Sequence, residues 1–62
     1  MCRAEELQND LDNLYFSKRF YIGNLAELED LGQTHTPRYA ALKRNIDIIN
    51  HNIRRIEKEL EA

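Results

Sequence analysis

Two runs of apolar residues stepping by three and four, parted by a break that holds Gly32 and Pro37, constrain this chain more than any other feature. In the first run, Ala4, Leu7, Leu11, Leu14, Lys18, Tyr21, Leu25 and Leu28 occupy alternating a and d positions of a heptad, interrupted only at Lys18. In the second, Tyr39, Leu42, Ile46, Ile49, Ile53, Ile56 and Leu60 repeat the same steps without interruption. Such spacing lines side chains along one stripe of an α-helix. A strand would need alternation with period two, which neither run shows. Both segments are therefore predicted to be helices, each with one apolar seam.

The break decides how the helices connect. Gly32 follows the last apolar residue and suits the left-handed conformation that closes a helix. Thr36 ahead of Pro37 has the form of an N-cap with proline at the first helical position, where the missing amide proton would have no intrahelical partner anyway. The expected elements are a helix over 3–31, a loop over 32–36 and a helix over 37–61, within one domain. So short a connection returns the chain alongside itself. The expected fold class is all-α, a two-helix antiparallel coiled-coil hairpin.

Charge patterning points the same way. The first helix is acidic at its start (Glu5, Glu6, Asp10, Asp12), basic in its middle (Lys18, Arg19) and acidic at its end (Glu27, Glu29, Asp30). The second is basic at its start (Arg38, Lys43, Arg44), has Asp47 in its middle, and is basic again at Arg54, Arg55 and Lys58. Folded at the loop, opposite signs face each other at three levels. Exposed pairs contribute about 0.2–1 kcal/mol each, so this pattern sets register more than stability. Glu57, Glu59 and Glu61 are the exception, acids in a last turn where the helix dipole disfavours them.

A chain of 62 residues buries only about 60% of its unfolded surface on folding, which makes folding alone marginal. Cys2 is its sole cysteine, so no internal disulfide is available. Two helices leave the seam half open to water, and further helices are the usual cover. The sequence supplies a surface for them. One flank, made of g and c positions, shows Phe20, Leu31, Ala41 and Ile48, with Phe16 at its edge. Phe20 and Ile48 fall at one level. Asn13, Ser17, Asn24, Asn45 and Asn52 surround them, and Glu6, Glu27, Arg38, Arg55 and Glu59 lie farther out. An apolar centre with a neutral polar surround is the anatomy of a protein interface. Phe16, Phe20, Leu31, Ala41, Ile48, Asn24 and Asn45 are the predicted contact residues. The opposite flank, with Tyr15, Ile22, Ala26 and Ala40, is more charged. Gly23 lies one turn beyond Phe20, where a partner backbone could approach closely.

Chemistry is poorly represented. Lys18 reads as a seam lysine extending its ammonium to solvent or to Asp47, not as a nucleophile. His35 and His51 are far apart in the sequence and Cys2 has no second cysteine, so no metal site is expected. Tyr15, Tyr21 and Tyr39 read as amphipathic packing. No phosphate loop or nucleophile–base pair is present, and no catalytic residue, cofactor or enzymatic activity is expected.

The expected function is binding: a homodimeric four-helix bundle acting as adaptor, assembly chaperone or inhibitor on a larger protein. An alternative is an RNA-binding hairpin dimer using Arg44, Arg54, Arg55 and Lys58 on the second helix. In length and architecture alone the chain is similar to small helical-hairpin dimers that bind structured RNA. A net charge of −2 and the acids interleaved with that strip count against nucleic acid. A third reading is a coiled-coil segment of a longer protein; the Met1 start weighs against it and the charged Glu59–Ala62 end for it. No apolar run approaches membrane-spanning length, neither helix has the basic amphipathic form of a surface binder, and no signal region follows Met1. A cytoplasmic location is the default expectation.

Overall fold

The computed structural model describes residues 2–62. It contains two elements, α1 (Arg3–Asp30) and α2 (Pro37–Glu61). They pack antiparallel as a helical hairpin, a rod with extents of 45 × 15 × 14 Å.

The turn is built by its caps. Gly32 adopts φ +71°, a left-handed conformation open to a residue without Cβ. Its amide donates to the Glu29 carbonyl at 3.0 Å, and the Gln33 amide donates to the Leu28 carbonyl at 2.8 Å. These two bonds make a Schellman motif and satisfy carbonyls that the helix end leaves free. Leu31 is therefore the C-cap, and α1 stops at Asp30, one residue short of the sequence expectation. At the start of α2, the Thr36 hydroxyl accepts from the Tyr39 amide at 3.2 Å and Pro37 takes the first turn. The same hydroxyl donates to the Gln33 carbonyl at 3.3 Å, tying one cap to the other.

Every buried residue comes from the two predicted seams: Leu7, Leu11 and Leu28 from α1, Leu42, Ile49, Ile53 and Ile56 from α2. Most of that core lies toward the open end, where Leu7, Leu11, Ile49, Ile53 and Ile56 cluster and Leu14, Tyr21 and Leu60 pack against them. Leu28 and Leu42 are buried near the loop. Between these regions Lys18, Leu25 and Ile46 are only half-buried, and Ala4 at the open end is exposed. The seam, broken in sequence only at Lys18, is half open at its middle, because two helices cannot enclose a stripe from every side.

The charge pattern does not act as expected. Among the described residues the one ion pair is Arg3–Glu59 at 3.0 Å, and it uses an acid that the three-level scheme left aside. Most charges in that scheme fall at b, c and f positions, which point away from the neighbouring helix. Lys18 makes no ion pair with Asp47. Neutral phenols bridge the helices instead: Tyr15 Oη donates to Glu57 Oε2 at 3.0 Å, and Tyr39 Oη to Glu29 Oε2 at 2.8 Å. Tyr15, Glu29 and Glu57 are e positions, beside the seam and within reach of the other helix.

Candidate interaction surface

The two flanks of the hairpin differ in how far they are closed. On the e side, the Tyr15–Glu57 and Tyr39–Glu29 bonds cross between the helices, and Lys43 Nζ stands 5.8 Å from the centre of the Tyr39 ring. Each carboxylate stabilises the protonated phenol that donates to it, so both tyrosine pKa values lie above the ordinary 10.0. On the g side the helices are bridged at the extreme open end alone, by Arg3–Glu59.

That flank carries the most exposed of the large apolar groups, while Tyr15 and Ile22 on the e side are less so. Phe16 is 71% exposed, Leu31 66%, Phe20 64% and Ile48 59%. Asn45 is exposed as well, while Asn24 and Ala41 are half-buried among them. The Phe20 ring meets Tyr21 edge-on, with centroids 6.0 Å apart and planes at 74°. Phe20 therefore leans on a seam residue while presenting most of its surface to solvent. Phe16, at an f position, points farther outward.

Toward the open end the same flank opens into a groove of about 340 Å³, floored by Leu14 and Ile56 and walled by Asp10, Asn13, Ser17, Asn52 and Arg55. The heptad assignment places those wall residues on this flank but gives no sign of a concavity. A groove depends on how far apart the helices sit and on small side chains at g, here Ser17 and Asn52. The run of short polar residues at those positions was the available signal.

Arg54, Arg55 and Lys58 converge with His51 around a second hollow of about 230 Å³ on outer α2. Arg44 does not take part; it lies seven residues before His51. Glu57 and Glu59, two of the acids interleaved with this strip, are bonded to Tyr15 and Arg3 on α1.

Among the described residues, no group of three His, Cys, Asp or Glu side chains is placed to hold a metal, and no buried side-chain polar atom lacks a partner. Nor is any described helix long and apolar enough to cross a membrane. No family model, curated protein or solved structure matches the chain. The functional reading therefore rests on these surfaces alone.

Proposed function

We propose that this chain is a protein–protein interaction module that self-associates through the g/c flank into a four-helix bundle. The observation that carries the reading is the set of exposed apolar side chains on one flank bridged only at its open end, Phe16, Phe20, Leu31 and Ile48, beside a groove with an apolar floor. A large exposed apolar patch on so small a protein marks an association surface, and aromatic side chains dominate the energetics of such contacts. The surfaces left outward after association would serve a larger partner, as in an adaptor, an assembly chaperone or an inhibitor.

Light-scattering mass after size exclusion tests self-association, with reductant present to silence the exposed Cys2. A dimer mass held over a wide concentration range supports it. A helical monomer rules it out and leaves the flank to a foreign protein.

A second reading has one observation behind it. His51, Arg54, Arg55 and Lys58 share one face, and Glu59 beside them is paired with Arg3 on α1, which leaves a locally basic surface suited to phosphates. Binding of RNA or DNA at low salt that falls steeply as salt rises would favour this reading; absence of binding at low salt removes it.

A further inference from the structure

Besides Glu6 and the Arg3–Glu59 ion pair at its extreme open end, the flank carries four charges whose placement bears on how a second copy would dock. Asp10 and Arg55 wall the groove, and Glu27 and Arg38 occupy the equivalent c and g positions toward the loop. None of the four has an ion-pair partner within 4.0 Å among the described residues. Glu27 lies in the final turns of α1 and Arg38 in the first turn of α2, where the helix dipoles favour the opposite sign.

Their levels follow from the register. Glu29 and Tyr39 are hydrogen-bonded across the loop end. Nine residues back from Glu29 is Phe20, and nine forward from Tyr39 is Ile48, so the two exposed apolar residues share a level at the middle of the flank. At a rise of about 1.5 Å per residue, Arg55 lies about 10 Å from that level toward the open end and Asp10 about 15 Å. Glu27 lies about 10 Å from it toward the loop, and Arg38 about 15 Å.

Two face-to-face dimers place Phe20 and Ile48 at a common centre. With the loops at opposite ends, α1 lies on the partner's α1. Asp10 then comes within about one helical turn of the second copy's Glu27, and Arg55 as near to its Arg38. Both contacts repel, and symmetry repeats each. With the loops at the same end, α1 lies on the partner's α2. The axial offsets are the same, but Asp10 now meets Arg55 and Glu27 meets Arg38. Each of these contacts attracts, again twice over, and the second copy's Glu59, near Asp10 in level, is held by Arg3 of its own chain. Charge complementarity selects among alternative registers in this way because like charges brought together are penalised.

Resting on the self-association reading above, we propose that the occupant of the Phe20–Ile48 flank is a second copy with its loop at the same end, α1 of each chain against α2 of the other. The two Asp10–Arg55 and two Glu27–Arg38 contacts then frame an apolar centre.

The native Cys2 provides the test, because it is exposed and is the only cysteine. A nitroxide attached there gives one distance by pulsed electron paramagnetic resonance. Loops together place the two labels on neighbouring ends of one bundle, within roughly 30 Å once helix spacing and label tethers are allowed for. Loops apart place them on the order of the 45 Å length of the hairpin or beyond. A dimer mass with the long distance overturns the arrangement and leaves self-association standing; a monomer mass overturns both. Asp10→Lys provides an independent reading. It should weaken the dimer by about three- to tenfold at low salt, with Arg55→Glu in the same chain restoring it. Tighter association of Asp10→Lys alone would show that Asp10 meets an acid, against the proposal.

Discussion

The two helices use their apolar residues differently. In α2 the apolar residues fall on one stripe; Leu42, Ile49, Ile53 and Ile56 are buried, and Ile48 is its one large apolar side chain left exposed. In α1 the seam is present, but Tyr15, Phe16, Phe20 and Ile22 stand outside it and are exposed, with Leu31 exposed at its C-cap. A helix satisfied by one neighbour needs one apolar stripe; apolar groups on several faces call for several neighbours. By this measure α2 is completed largely by α1, whereas α1 is not completed by α2. The hairpin's unmet packing therefore lies chiefly on α1, and Phe20 and Ile48 mark where the two helices share it.

Truncation in the seam gives the largest expected effect on this contrast. Ile49→Ala should cost about 2–5 kcal/mol in denaturant melts, as loss of a buried aliphatic group does. A loss well under 1 kcal/mol would mean that the stripe of α2 is not the core it resembles. Phe20→Asp should weaken self-association by about 2 kcal/mol or more and shift the mass toward monomer, since it places a charge in an apolar contact. Mass and helicity unchanged in that variant would remove Phe20 from the interface and with it the unmet demand assigned to α1.

Gly23→Ala should stabilise the protein by roughly 0.5–1 kcal/mol, because glycine inside a helix is entropically unfavourable. An added Cβ there meets nothing within 4 Å. A loss of dimer with no loss of monomer stability would show instead that a partner backbone approaches that outer face of α1.

The smallest expected effect concerns the closed flank. Tyr15 and Tyr39 have pKa values raised above 10.0 by donation to Glu57 and Glu29. A raised folded value means stability present below pH 10 and lost as pH rises through that value. Tyr15→Phe combined with Tyr39→Phe should flatten the alkaline decline in stability relative to wild type. Identical profiles in pH-dependent melts would mean that the phenol–carboxylate bonds do not tie the helices.

The sequence makes some of this legible and hides the rest for separable reasons. Gly32, Thr36 and Pro37 announce both ends of the turn because capping is local chemistry, decided within a few residues. The exposed set of Phe16, Phe20, Leu31 and Ile48 is legible from heptad position, because each lies off the seam. The bonding is not. Charges matched by level do not pair when their positions face outward, and the carboxylates of Glu57 and Glu59, which looked out of place, are the ones that reach α1. Which of several nearby groups meet depends on side-chain direction and helix separation, neither of which level alone conveys.

By itself the sequence determined two helices, their hinge and the identity of the seam, because periodicity and capping depend on neighbours a few residues apart. Only the tertiary structure decided how deep each seam position lies, that phenols rather than ion pairs bridge one flank, and that the other flank is left open with a groove. Those properties depend on the distance and rotation between two helices, and residues far apart in the chain set them jointly.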